Sequence, residues 1–289
     1  MTDLFTEHRA LLFGIAYRML GSVADAEDMV QDTYLRWCRQ DAGAIVTPKA
    51  WLVSALTRRC IDELRSARKR REEYVGPWLP EPIVDSTAPA PDEVAAMADS
   101  LGTAFLLMLE ELSPVERAVF LLREAFDYDY AEIAHVVDKT EAACRKMVSR
   151  ARARLAGRPP APARPTEQAE RIVQRFLAAT ATGELQDLLA LLTDDAVLYT
   201  DGGGRVPSAR RPVVSASHIG RFFVSLRERG LAGAEAKLVR VNDGVGVLMR
   251  RRDGVVSVTS FAFAGDRIRA IYTVSNPEKL RHVRFEEGN

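Results

Sequence analysis

The chain has 289 residues, which at roughly 100–200 residues per domain is enough for two or three domains with cores of their own. It is 47% hydrophobic and 28% charged, a composition that excludes a disordered or fibrous protein. Its 40 basic residues equal its 40 acidic ones, and this net charge of zero would argue against a nucleic-acid partner if the charges were evenly mixed.

No apolar run approaches the roughly 20 residues of a membrane span, and the acidic start MTDLFTE is unlike a signal peptide. We therefore expect a cytoplasmic protein without membrane contact. The cysteines Cys38, Cys60 and Cys144 are far apart, so neither a disulfide framework nor a zinc site is predicted. We interpret them as small core residues, with a redox-sensing thiol as the alternative.

The charges are not evenly mixed along the chain. Residues 58–71 hold seven basic side chains against two acidic ones, and residues 139–158 hold seven against Glu141 alone. Between these blocks, residues 76–112 contain no lysine or arginine. Two basic blocks around an acidic spacer favour a duplex-binding protein, and two ordinary solvated helix faces are the alternative.

The first elements in chain order are helices. Apolar residues recur at helical spacing up to Met19, and Gly21 ends this first helix. Ser22 is a candidate N-cap for a second helix that runs to about Cys38. A long helix then starts near Pro48 and carries the first basic block.

Two proline-rich segments predict linkers on either side of a second helical region. The first contains WLPEP at 78–82, and the second reads RPPAPARP. Between them, Ser113 followed by Pro114 and Glu116 marks a strong helix start. The predicted domains and linkers are 1–73, 74–94 (linker), 95–157, 158–165 (linker) and 166–289.

The last domain changes pattern from helices to strands. Two helices within 166–192 and one over 218–229 accompany turn sequences at 242–244 and 252–254 that are typical of hairpins. The predicted strands are 196–200, 236–241, 245–250, 255–263 and 268–274. The fold class is therefore multidomain, with two all-α domains and a C-terminal α+β domain whose mostly antiparallel sheet curls into a pocket.

One face of the second helix is a candidate partner surface. A helical wheel over residues 25–37 places an apolar stripe inward, consisting of Ala26, Met29, Val30, Thr33 and Trp37. The opposite face holds Asp28, Gln31, Asp32 and Leu35. A leucine among carboxylates favours a protein partner, although a single exposed leucine is common. No histidine or third ligand accompanies the carboxylates, which argues against a metal or acid–base site.

Residues 130–155 predict a helix-turn-helix. A short helix is followed by a polar turn at Asp138 and by a second helix that Thr140 caps. The small and basic side chains on the outer face of that helix suit a DNA groove, and they are Ala142, Arg145, Lys146, Ser149 and Ala153, with Arg150 and Arg152 at its edges. An ordinary packed helical hairpin is the alternative.

Together these stretches resemble a sigma-70 family initiation factor of the extracytoplasmic-function type. The resemblance covers residues 1–157 and lies in DAEDMVQDTYLRW, KAWLVSALTRRCIDELRSARKR and LEELSPVERAVFLLREAFDYDYAEIA with the helix-turn-helix. It implies that core RNA polymerase binds Asp25, Asp28, Gln31, Asp32 and Leu35. It implies that the −10 element of promoter DNA contacts Arg58, Arg59, Arg65, Arg68 and Lys69. The −35 element would contact Thr140, Ala142, Arg145, Lys146, Ser149 and Arg150.

The last domain resembles the SnoaL-like branch of the NTF2-like cone. WLPEP, DGGGR at 201–205 and NPEKL at 276–280 are similar to three signatures of a sigma subgroup in which this fused domain controls the factor in cis; Glu278 stands where an aspartate is expected. We predict that they form one regulatory interface, with Arg205 or Lys279 paired with Glu81. Its residues are Trp78, Leu79, Glu81, Asp201, Gly203, Arg205, Asn276, Pro277 and Lys279.

The sequence thus predicts an alternative sigma factor regulated by its own C-terminal domain. DGGGR matches neither GxGxxG nor a Walker loop, so no nucleotide cofactor is predicted, although its amides could hold an anion. The rival interpretation is a helix-turn-helix regulator that carries a ligand-binding or catalytic NTF2-like domain. Its candidate residues are Tyr199, Asp201, His218 and Asp253. Without an established catalytic pair, we predict no enzyme, metal or cofactor, and a small-molecule ligand stays open.

Overall fold

The computed structural model describes residues 2–40, 45–84, 102–155, 167–227, 233–242 and 244–285, with the backbone alone at 2–3 and 67–72. The chain divides into two compact units. We call Met1–Glu73, Ala90–Ser100 and Phe105–Arg158 the helical unit, and Tyr74–Pro89, Leu101–Ala104 and Pro159–Asn289 the mixed unit. Residues 85–94 of the first predicted linker and all of the second linker lie outside the described residues.

Seven described helices precede the second proline-rich segment. They are α1 (Thr2–Leu20), α2 (Val23–Trp37), α3 (Pro48–Glu72), α4 (Thr103–Leu109), α5 (Pro114–Glu124), α6 (Tyr130–Val137) and α7 (Glu141–Leu155). No described helix is long and apolar enough to span a bilayer.

The amphipathic pattern of α2 is confirmed. The predicted apolar stripe is the set of residues that is buried, and the Ser22 side chain accepts a hydrogen bond from the amide of Asp25 as the N-cap. Two of the three cysteines, Cys60 and Cys144, are buried, and this burial raises the pKa of both thiols. Cys38 is exposed, so its assignment to the core is wrong.

The predicted helix start at Ser113 is confirmed, because Ser113 caps α5 in a reciprocal capping box with Glu116.

The helix-turn-helix is also present as predicted. Between α6 and α7 the backbone turns at Asp138, which adopts the left-handed conformation with φ 54°, and the Thr140 hydroxyl then accepts from an amide of the first turn of α7. A positive φ at an aspartate is tolerated because its short polar side chain can bond locally.

Arginines join the early helices to the later ones within the helical unit. The buried Arg117 of α5 donates to the carbonyl of Met19 at 2.6 Å and to the carboxylate of Glu110 at 2.8 Å. Arg58 of α3 donates to the last carbonyls of α6. The two predicted sigma modules therefore contact each other through buried and half-buried polar groups.

The mixed unit combines three helices with a six-stranded sheet. The helices are α8 (Glu167–Thr182), α9 (Leu185–Leu191) and α10 (Ala216–Leu226). The strands are β1 (Leu192–Asp201), β2 (Val213–Val214), β3 (Glu235–Val241), β4 (Gly244–Arg250), β5 (Val256–Ala264) and β6 (Arg267–Val274). Their order is β2-β1-β6-β5-β4-β3. The core lies between the helices and the sheet and includes Phe176, Leu188, Ile219 and Phe261.

The predicted α+β class and both hairpins are confirmed. All neighbouring pairs are antiparallel except β1 with β6, which are parallel. The short β2 was not predicted, since a two-residue strand has no periodicity. Of the turn at 242–244, Asp243 lies outside the described residues.

Candidate functional site

The centre of the predicted regulatory interface is the buried carboxylate of Asp201. It is 0% exposed and lies at the end of β1. Its oxygens accept from Tyr74 Oη at 2.6 Å, from the Leu79 amide at 2.9 Å, from Lys279 Nζ at 2.7 Å and from the Gly203 amide at 3.1 Å. All three signature segments therefore meet at one anion, and a buried carboxylate with this many donors is well compensated.

Lys279 completes the cluster as its buried cation. Besides Asp201, its Nζ donates to the Leu79 carbonyl oxygen. The same atom lies 4.2 Å from the ring centroid of Trp78 and 4.9 Å from that of Tyr74, both suited to cation–π attraction. The main chain of Leu79 is thus held at both its amide and its carbonyl, and its side chain is fully buried.

Tyr74 links the cluster to NPEKL. Its hydroxyl accepts from Asn276 Nδ2 at 2.8 Å while it donates to Asp201. Burial, followed by the hydrogen bond to Asp201, raises the pKa of Tyr74 above its ordinary value. The phenol consequently stays protonated and keeps its donor role at any physiological pH.

A second set of contacts, which the sequence did not predict, holds residues 82–84, which follow Leu79 along the chain. Asn242 is buried at the turn after β3. Its side-chain oxygen accepts a hydrogen bond from the Ile83 amide at 2.8 Å, and its main-chain N–H donates to the Ile83 carbonyl at 2.9 Å. Val84 forms a bridge with Val241, and His282 Nε2 lies 2.8 Å from the Pro82 carbonyl oxygen. Residues 74–84, hereafter the bound segment, are therefore fixed at two places.

The remaining predicted interface residues lie around this cluster. Arg205 pairs with Glu278 at 2.9 Å on the surface rather than with Glu81, because DGGGR and NPEKL lie next to each other. Glu81 is buried and Pro277 is exposed. Ion pairing at Arg205 thus joins two signatures of the mixed unit and does not involve WLPEP.

A glycine is needed at position 203 because the Asn276 side chain lies very close to its backbone. A matched pair of substitutions tests this contact. The φ of Gly203 is +59°, and a Cβ there would clash with the Asn276 amide, whereas Gly254 has φ +82° and open space around it. Gly254→Ala should cost about 1 kcal/mol of backbone strain, and Gly203→Ala should cost about 1–3 kcal/mol more by overpacking. Chemical denaturation measures the two costs, and equal values would contradict the close contact.

The face predicted to bind polymerase lies on the surface of α2. Leu35 is 49% exposed, Asp28 and Gln31 are exposed, and Asp25 is half-buried. Asp32 instead accepts from Arg36 at 3.1 Å and from Arg59 of α3 at 2.8 Å. Asp32 is predicted to bind polymerase and Arg59 to contact the −10 element, but in the structure the two side chains pair with each other.

The predicted −10 residues make internal contacts as well. Arg58 donates to the carbonyls of His135 and Val136, each at 2.9 Å, where the last carbonyls of α6 lack helical partners. Arg65 pairs with Asp62 at 3.0 Å on the surface. The side chains of Arg68 and Lys69 lie outside the described residues.

The predicted −35 face of α7 is accessible. Ala142, Lys146, Ser149 and Arg150 are exposed. Arg145 is exposed too, pairs with Glu141 at 2.7 Å and lies 4.9 Å from the centroid of the Tyr130 ring. These residues form one continuous surface on the second helix of the helix-turn-helix, as its geometry requires for groove binding.

Comparison with known proteins identifies the family. Residues 4–70 match the sequence profile of Sigma-70 region 2, and residues 103–155 match Sigma-70, region 4. The ECF RNA polymerase sigma factor SigJ of Mycobacterium tuberculosis is 36% identical over 290 residues, covering 96% of this chain and 92% of SigJ. The chain is an ECF RNA polymerase sigma factor.

Other similarities of this sigma factor extend over the C-terminal unit as well. The probable ECF sigma factor SigI of Mycobacterium tuberculosis is 31% identical and covers 97% of the chain. The crystal structure of SigJ superposes with a TM-score of 0.81 at 31% identity, over 99% of this chain and all of SigJ. The sigma factor thus directs promoter-specific initiation by core RNA polymerase as an alternative factor, and the C-terminal α+β domain belongs to its architecture.

Proposed function

We propose that the mixed unit regulates this sigma factor in cis by holding the bound segment. The buried contacts of Asp201 and Lys279 with the main chain of Leu79 carry the proposal. Residues 74–84 begin the connection between α3 and α4, so holding them restrains part of the chain that joins the two promoter-binding modules.

The proposed mechanism is a restraint on module separation. Linking two modules raises their effective concentration only when the linker can span the two sites, and immobilising part of the linker shortens its reach. In the helical unit the modules contact each other through Arg58 and Arg117. Holding the bound segment favours this closed arrangement and lowers promoter binding until the segment is released.

For the surfaces of the helical unit we propose the roles that the family implies. The exposed α2 face with Asp28, Gln31 and Leu35 binds core RNA polymerase, with Asp25 and Asp32 at its edge. The basic face of α3 contacts the −10 element and the exposed face of α7 contacts the −35 element. This work takes place in the cytoplasm, where the polymerase acts.

We further propose that the protein is not an enzyme. Of the candidate catalytic residues, Asp201 is bound within the cluster and Asp253 pairs with Arg251 at 2.7 Å. His218 Nδ1 lies 3.1 Å from Ser215 Oγ and 3.0 Å from the Val214 carbonyl oxygen, as expected for a residue at a helix start. These contacts support structural roles for the three residues.

Run-off transcription with core RNA polymerase and a cognate promoter tests the regulatory proposal. Leu79→Asp places a charge at a fully buried position and should release the bound segment, so we expect several-fold more transcript than with the unchanged factor. Arg205→Met, which removes an exposed ion pair, is the matched control and should leave the yield unchanged. A yield from Leu79→Asp that is equal to or below that of the unchanged factor would overturn the restraint.

A further inference from the structure

A cleft lies in the mixed unit between the sheet and helices α8 and α10. Its volume is about 90 Å³, and much of its wall is apolar, including Phe176, Phe222 and Met249. An apolar cavity of about 150 Å³ holds benzene. This cleft is smaller but only partly enclosed, so the substituent of a single ring can extend out of it, whereas a polycyclic molecule is too large.

Several hydroxyl groups in the wall are bonded within the protein. Thr259 and Thr273 hydroxyls lie 3.0 Å apart, and the Thr180 hydroxyl donates to the Phe176 carbonyl at 2.8 Å. Arg251 differs from them, because its Nε is buried and has no hydrogen-bond partner among the described residues. A buried donor of this kind is destabilising unless an acceptor reaches it.

The charge of Arg251 is already balanced. Its Nη2 donates to the Asp253 carboxylate at 2.7 Å. A bound carboxylate would bring a second anion close to Asp253, whereas a carbonyl oxygen would accept from Nε without adding charge. The acceptor that fits this donor is therefore neutral.

We propose that this cleft binds a compact neutral molecule with one apolar ring and one carbonyl group. The ring contacts the phenylalanine side chains, and the carbonyl oxygen accepts a hydrogen bond from Arg251 Nε. A hydrogen bond to a charged group contributes about 1.5–3 kcal/mol, so a ketone should bind at least about 10-fold more tightly than a hydrocarbon of the same shape.

Fluorine NMR titration of the full chain tests this with three probes. They are 4-fluoroacetophenone, 1-ethyl-4-fluorobenzene and 4-fluorobenzoate, which share a ring and differ in the substituent. The ketone should bind saturably and most tightly, and the benzoate should bind more weakly than the ketone. Absence of saturable ketone binding, equal affinity for the ketone and the hydrocarbon, or preference for the benzoate would each overturn the proposal.

Variants locate the binding and separate it from folding defects. Arg251→Met should abolish the preference for the ketone while the hydrocarbon still binds, which shows that the cleft remains folded. Met249→Trp should fill the cleft and reduce the affinity for both probes. The control Arg267→Met makes the same change at an exposed position of β6 and should alter neither affinity. Retention of the ketone preference in Arg251→Met would overturn the assignment.

Discussion

Replacing Lys279 by methionine is expected to lower the free energy of unfolding of the mixed unit by about 3–5 kcal/mol. The substitution removes the cation 2.7 Å from Asp201 and leaves a carboxylate that is 0% exposed without its charge partner. The Leu79 carbonyl loses its donor as well. Urea denaturation of the full chain, followed by near-UV circular dichroism, measures the loss.

Two comparisons isolate the buried pair. Arg205→Met removes an ion pair whose partners are both exposed, so its cost should stay within about 1 kcal/mol. Adding Asp201→Asn to Lys279→Met removes the uncompensated charge and should recover part of the lost stability. A Lys279→Met variant as stable as Arg205→Met would show that the charge is not buried in solution.

Combining Asp28→Arg with Leu35→Arg is expected to weaken binding of core RNA polymerase by about 100-fold. The pair reverses one charge and replaces an exposed apolar side chain at the centre of the proposed α2 surface, and charge mismatch across an interface costs several kcal/mol. Fluorescence anisotropy of the labelled factor titrated with core polymerase measures the dissociation constant.

The matched control lies on α1. Leu4→Arg with Glu7→Arg makes the same chemical changes at exposed positions outside the proposed surface and should leave the affinity unchanged. Both double variants should keep the stability of the unchanged protein within about 0.5 kcal/mol per substitution, since the sites are exposed. Equal affinities of the two variants for the polymerase would place the docking surface elsewhere.

Local sequence patterns were sufficient to predict most of the helical unit. The apolar stripe of α2 repeats every three or four residues, and the cap at Ser113 involves only the next three residues. Such features depend on neighbours along the chain and are visible in a single sequence. The three signature segments were also predicted to meet, and the structure brings six of the nine predicted interface residues into one cluster, namely Trp78, Leu79, Asp201, Gly203, Asn276 and Lys279.

Pairing between distant residues could not be predicted. The partner of Lys279 is Asp201, 78 positions away, and nothing in either segment specifies that choice. Tyr74 and Asn242 were missed because a tyrosine before a proline-rich segment and an asparagine in a hairpin turn are ordinary in those places. Arg58 and Arg59 belong to a basic run typical of DNA binding, and only the fold shows that both also bind protein groups.

The bound segment lies far along the chain from the residues of the mixed unit that hold it, and this separation has a consequence for synthesis. Leu79 and Lys279 are 200 residues apart. At about 5–20 residues per second, the ribosome needs about 10–40 s to make the intervening chain. Throughout that interval the bound segment is already made, while the part of the mixed unit that contacts it is incomplete. Each nascent molecule therefore passes through a period in which the connection between its promoter-binding modules is free.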